Sequence, residues 1–133
     1  MTTHAADPKQ LVARYVAVWS EPDPELRRST ISGLWTQDGV EFVDGTQFRG
    51  LDELDARVTE AYKQFVESGE YTVAFADDMT SHDDIVMFTV QLIANRGDAA
   101  GDVSWAARVF LVLSEDARIQ EDYHVTVTPL AAQ

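Results

Sequence analysis

A chain of 133 residues, 45% hydrophobic and 25% charged, is long enough for one domain with a real core and too short for two. Ten basic against twenty-three acidic residues leave a net charge of −13, a field that repels phosphate backbones and anionic lipid and argues against nucleic-acid or membrane-surface partners. There is no cysteine, so disulfides, thiolate nucleophiles and thiolate metal sites are excluded.

Residues 1–6 read as a short flexible tail. It has no basic n-region or apolar h-region, and no apolar run in the chain approaches a membrane span, so a cytoplasmic protein is expected. Asp7-Pro8 then supplies a cap and a first-turn proline for a helix to about Ser20. Leu11, Tyr15 and Val18 form one stripe of that helix, with Val12, Val16 and Trp19 beside it, so Tyr15 lies on a buried face. Glu21-Pro22-Asp23-Pro24 ends this helix and starts a second, with Leu26, Ile31, Leu34 and Trp35 inside and Arg27-Arg28 outside. Thr36-Gln37-Asp38-Gly39 turns into a short strand, Val40 to Asp44, whose period of two puts Val40, Phe42 and Asp44 on one side. After an extended piece around Gln47-Phe48-Arg49 and a break at Gly50, a third helix from Leu51 to about Glu67 carries Leu54, Val58, Ala61, Tyr62 and Phe65 at helical spacing. Ser68-Gly69 stops it.

Beyond Glu70 the pattern changes to strands. Tyr71 to about Phe75, Ile85 to about Asn95, Val103 to Leu113 and Ile119 to Thr128 are rich in Val, Phe, Ile and Thr, and turn segments of hairpin length separate them. Three helices with a small strand inserted, then an antiparallel meander, make a single α+β domain over residues 1–133 with its helices on one side of a curved sheet.

The last strand carries the best chemistry. Ile119, Tyr123, Val125 and Val127, with Glu121 among them, alternate with Gln120, Asp122, His124, Thr126 and Thr128. At about 3.3 Å rise per residue, the Asp122 and His124 Cβ atoms lie roughly 6 to 7 Å apart, close enough to share a bound atom. A carboxylate and an imidazole can take and return a proton near neutral pH; the plain alternative is a polar strand face wetted by solvent. On the strand before it, Arg108 shares a face with Phe110 and Val112. It reads either as an anchor for an anionic or enolate-like oxygen or as a rim arginine paired with a carboxylate. Tyr15 reads as a site hydroxyl or a core aromatic, and Asp44, before Gly45, as a site carboxylate or a turn cap. Asp77, Asp78, His82, Asp83 and Asp84 crowd one hairpin without calcium-loop spacing and read as a solvated turn. Asp122 and His124 could be two ligands of an ion, but the only other histidines are His4 and His82, and no metal is expected.

Several runs together resemble the nuclear transport factor 2-like superfamily. They are Val12-Ala13-Arg14-Tyr15-Val16-Ala17-Val18-Trp19, Glu21-Pro22-Asp23-Pro24-Glu25, Leu34-Trp35, Asp38-Gly39-Val40, Phe48-Arg49-Gly50-Leu51-Asp52-Glu53-Leu54 and Arg118-Ile119-Gln120-Glu121-Asp122-Tyr123. The resemblance is to the SnoaL-like branch, which includes polyketide cyclases and relatives of ketosteroid isomerase and limonene epoxide hydrolase. It implies a cone-shaped fold, three N-terminal helices on a strongly curved, mostly antiparallel sheet that encloses a pocket. Tyr15 matches the first-helix tyrosine that donates to the substrate oxygen in ketosteroid isomerase, and Asp44, allowing one inserted residue, falls near its first-strand base. Arg108 falls where that isomerase has a protonated carboxylic acid, which argues against steroid isomerisation as such. Asp122 and His124 fall on the pocket side of the last strand, where SnoaL-like cyclases place an acid/base aspartate.

The resemblance thus implies a cofactor-independent enzyme of secondary metabolism acting on a small hydrophobic carbonyl compound by cyclisation, double-bond shift or dehydration. Asp122 with His124 would be the acid/base pair, Tyr15 and Arg108 would stabilise an oxyanion, and Trp35, Phe42, Phe88 and Phe110 would wall the pocket. A noncatalytic pocket protein is one alternative. Epoxide hydrolysis or epoxide-opening cyclisation, with Asp44 as a second acid across the pocket from Asp122, is another. With the polar face of the last strand inward, Ile119, Tyr123, Val125 and Val127 lie outside, and a second subunit, as in a homodimer, or the chain termini are expected to cover them.

Overall fold

The same device starts the first two helices. Asp7 accepts from the Lys9 backbone N–H ahead of α1 (Pro8–Val18), and Asp23 accepts from Glu25 and Leu26 ahead of α2 (Pro24–Leu34), each with a proline in the first turn. The computed structural model describes residues 7–130, and the tail expected over residues 1–6 lies outside them. None of the described helices is long and apolar enough to cross a membrane. On α2 two expected orientations reverse: Leu26 is exposed and Arg27 is buried. The Arg27 guanidinium donates to the Glu21 and Pro22 carbonyls and to Thr59 Oγ1, so it satisfies the link that follows α1 and ties it to the third helix.

Trp35, expected to close the second helix, instead opens β1 (Trp35–Val43). The turn expected at residues 36–39 is a bulge within that strand: Trp35 pairs with Ile119 and Val40 with Glu121, so five positions of β1 run against two of its neighbour. Gly39 sits where a Cβ would come within 2.9 Å of Trp35 Cδ1 and 3.0 Å of the Ile119 carbonyl oxygen, which explains the glycine. A tight link through Asp44 and Gly45 leads to β2 (Thr46–Arg49) and then α3 (Leu51–Ala61). The expected continuation of that helix to Glu67 is a single π-helical turn, Tyr62–Val66, closed by the Glu67 N–H on the Tyr62 carbonyl.

The remaining strands are β3 (Tyr71–Phe75), a short β4 (Thr80–His82), β5 (Ile85–Ala94), β6 (Val103–Leu113) and β7 (Ile119–Thr128). They form one mixed sheet in the order β2-β1-β7-β6-β5-β3, with β4 on β5. The pairing is antiparallel except between β1 and β7, which run parallel. The three helices pack on one face of this curved sheet as an α+β cone. Val12, Tyr15, Ile31, Leu34, Trp35, Leu54, Val58, Phe88, Val109 and Leu111 form the core between them.

Strand parity departs from the sequence reading at one residue of β7. Leu113 pairs with Ile119 but Val112 with Glu121, so Gln120 is an extra residue. That bulge turns Ile119 inward, onto the same side as Asp122 and His124, whereas Tyr123, Val125 and Val127 remain exposed on the outer face.

Candidate active site

The parallel register of β1 and β7 sets Glu41 beside Asp122 and Val43 beside His124, on the face toward the helices. From α1, Tyr15 reaches into the same place. Its hydroxyl donates to Asp122 Oδ2 at 2.7 Å and lies 2.6 Å from His124 Nε2. A hydroxyl has one proton, so with that proton on Asp122 the Tyr15 oxygen accepts from Nε2–H. The same Nε2 is 3.2 Å from Asp122 Oδ1 and 3.1 Å from Glu41 Oε2. From α3, Arg57 Nε donates to the other oxygen of Glu41 at 3.0 Å.

Tyr15, Glu41 and Asp122 are 0% exposed and His124 8%, so the cluster is dry. Burial by itself would depress the imidazole pKa, but Asp122 and Glu41 outweigh it and hold His124 above its ordinary value. Burial raises Glu41, against the pull of His124 and Arg57. Burial also lifts the Tyr15 phenol well above the usual range, with Asp122 and Glu41 adding to it, so Tyr15 stays a neutral donor.

The cluster adjoins a cavity of about 410 Å³. His124 and Arg57 line it, while Tyr15, Glu41 and Asp122 stand behind them. The walls are largely apolar: Phe65 and Val66 from the π-helical turn, Val73, Leu92 and Trp105 from the sheet, and Trp19 from the end of α1. His124 Nδ1 and Trp19 Nε1 are buried with no hydrogen-bond partner among the described residues.

Asp122, His124 and Tyr15 therefore come together, although only His124 meets the cavity. Asp44 is at the cavity rim, exposed, in the β1–β2 turn with φ 50°. Trp35 and Phe88 are core residues whose rings lie 5.6 Å from that of Tyr15, one layer behind the cavity wall. Phe42, expected in the wall, is instead on the outer face, its ring 4.9 Å from that of Tyr123. The β1 bulge gives the inward direction to Glu41 and Val43. Arg108 and Phe110, also expected inside, alternate with the buried Ala107, Val109 and Leu111 and so face outward. Arg108 binds Asp78 at 2.8 Å and Thr89 at 3.2 Å, the paired rim arginine of the alternative reading. The described residues place no carboxylate but Asp44 on the cavity, so the two acids that epoxide opening would need do not face each other across it.

Glu41 and Arg57 were missed. Within Val40-Glu41-Phe42-Val43 a lone charge reads as the outward position, and only the bulge reverses it. For Arg57 a signal existed: it falls three after Leu54 and four before Ala61, on the inward stripe of α3. Glu41 also changes the question of metals, because Glu41, Asp122 and His124 each offer a ligand atom within 4.8 Å of the others. Two carboxylates and an imidazole suit Zn²⁺, Mn²⁺ or Fe²⁺, and an ion there would displace the proton from Nε2, since both use one lone pair.

No family model matches the chain, and no curated protein does. Solved structures do. A SnoaL-like family protein of Agrobacterium tumefaciens, provisionally named an isomerase, is 21% identical with TM-score 0.76, over 89% of this chain and 95% of that one. A protein of Sinorhizobium meliloti provisionally named a polyketide cyclase is 12% identical with TM-score 0.63, over 90% and 99%. A de novo designed protein with a curved β-sheet is 16% identical with TM-score 0.69, over 93% and 88%. The chain thus has the nuclear transport factor 2-like fold, as the sequence resemblance implied, and a fold by itself does not specify a reaction.

Proposed function

We propose that this chain is a cofactor-independent acid/base enzyme that moves a proton on a small, largely apolar carbonyl compound, with His124 as the carrier. One observation supports this above the others: His124 is the titratable group that lines an apolar cavity and is also wired to a buried hydroxyl and two buried carboxylates. In the neutral imidazole, Tyr15 holds the proton on Nε2 and leaves the Nδ1 lone pair free. The imidazole takes a proton from the carbon beside a carbonyl, Nδ1 being its buried, unpartnered nitrogen, and Asp122 and Glu41 stabilise the imidazolium that forms. Returning the proton to a more distant carbon of the enolate gives a double-bond shift; addition of the enolate carbon to a second carbonyl, with the proton delivered to the new alkoxide, gives an aldol closure; and delivery of the proton to a β-hydroxyl as its C–O bond breaks gives loss of water. Asp122 and Tyr15, which do not reach the cavity, act as positioning residues through His124. The likeness to structures provisionally named isomerase and cyclase agrees with this chemistry.

The test is exchange of the α-protons of 2-tetralone in D₂O, followed by NMR. The native chain should accelerate exchange, and His124→Gln should lose on the order of 10²-fold or more of that rate. Binding of tetralone without exchange would transfer the cavity to a carrier or sensor role and end the enzymatic reading.

A further inference from the structure

The proposed proton transfer needs something to receive the negative charge that develops on the substrate oxygen, and the groups expected for that task are not at the cavity. Tyr15 has spent its one proton on Asp122, and Arg108 is on the other face of the sheet. Arg57 is at the cavity. Its guanidinium is stacked beside two rings, with Cζ 5.2 Å from the Trp19 ring and 5.4 Å from that of Phe48, which fixes its plane. Only Nε is used, in the bond to Glu41 Oε1; neither Nη nitrogen has a hydrogen-bond partner among the described residues, and the side chain is 23% accessible. A guanidinium presents donors in a rigid planar fork matched to a two-oxygen anion, so a held, half-used fork facing an apolar chamber is a built anion seat.

Glu41 fixes where that seat lies relative to the imidazole. Its Oε1 takes Arg57 and its Oε2 lies 3.1 Å from His124 Nε2, so Arg57 and His124, both of which line the cavity, are one carboxylate apart. An oxygen on the Arg57 fork therefore leaves the rest of the same molecule in the chamber that His124 also lines. Among the described residues lining the chamber, the other charged side chain is Asp44 at the rim. A chamber of about 410 Å³ is near the small end for ligand pockets, which run from roughly 300 to 1,000 Å³.

We propose that the Nη edge of Arg57 is the binding position for an anionic oxygen of the ligand, a carboxylate or the enolate that resembles it, so that the site selects compact, planar, apolar molecules carrying one such group. This rests on the cavity assignment made above but not on the proton transfer itself. The experiment is calorimetric binding at pH 7 of 2-naphthoate and of 2-naphthamide, which match in shape and differ in charge. The native chain should bind naphthoate at least tenfold more tightly. Arg57→Met should bring the ratio near one, and Arg57→Lys, which keeps the charge but loses the fork, should fall between. Circular dichroism and the melting temperature report whether each variant folds, and Arg57→Lys carries the test if Arg57→Met does not. Equal binding of the two probes by the native chain, or an unchanged ratio in a folded Arg57 variant, overturns the proposal. Tetralone exchange without naphthoate preference would sink this inference and spare the proton transfer; naphthoate preference without exchange would do the reverse.

Discussion

His124 stands between two buried carboxylates and an apolar chamber, and that order of neighbours sets the sign of its response to pH. As a base it works only when neutral, and Asp122 and Glu41 favour its charged form, so the rising limb of the rate should be centred above the ordinary imidazole value of 6.5. Removing one carboxylate should move that limb to lower pH. Asp122→Asn tests this and adds a second effect. If the amide oxygen keeps the bond from Tyr15, its NH₂ faces Nε2 and favours the imidazole tautomer with its proton on Nδ1, the nitrogen that has to be free. We expect exchange activity to fall on the order of a hundredfold or more, with the residual pH profile displaced to the acid side. A profile that keeps its position would detach Asp122 from His124. At this scale Asp122 and His124 were legible in the sequence as a strand pair, because a period of two needs no partner strand. Glu41 was not, because its direction depends on three extra residues paired across to another strand.

The elements that build the site are irregular where they touch it. β1 bulges before Glu41, β7 bulges at Gln120 before Asp122, and α3 widens into a π-helical turn that presents Phe65 and Val66 to the cavity. The β1 bulge depends on Gly39, and Gly39→Ala would push a methyl group into the Trp35 ring and the Ile119 carbonyl. Such overpacking costs about 1–3 kcal/mol, so the melting temperature should fall by several degrees, and activity should fall with it as Glu41 moves. Gly33→Ala is the opposite-sign control. Gly33 lies within α2, where an added Cβ meets only the end of the Arg14 side chain at 3.4 Å, and the change should stabilise by about 0.5–1 kcal/mol. Thermal unfolding of the two variants side by side decides whether the bulge is held by that close approach. The helix starts were plain in the sequence since a cap and a first-turn proline act within four residues, whereas bulges are recognised only against a paired strand.

At the scale of the whole molecule, the outer face of the sheet is the feature that no described residue covers. Tyr123, Val125 and Val127 are 36%, 52% and 58% exposed along one strand, and Phe42 stacks on Tyr123 beside them. This apolar strip, flanked by Glu121 and Arg108, is a poor surface to leave in water, and a second copy that covers it is expected. Sedimentation equilibrium should give twice 14.8 kDa. Val125→Glu with Val127→Glu should give the single mass with the cavity chemistry retained, because those side chains point away from it. A monomeric native chain would show that the strip is tolerated bare.

The sequence by itself determined what acts over a few residues: the capped helices, the strand runs, the side of β7 that carries Asp122 and His124, and through its resemblance the fold they build. It fixed these because caps, turns and a period of two are local. Only the tertiary structure decided which charges meet. The parallel contact of β1 with β7 brings Glu41 to Asp122, a helix stripe brings Arg57 to Glu41, and alternation on β6 sends Arg108 outside, since a buried charge goes where partners from distant segments can offset its lost hydration.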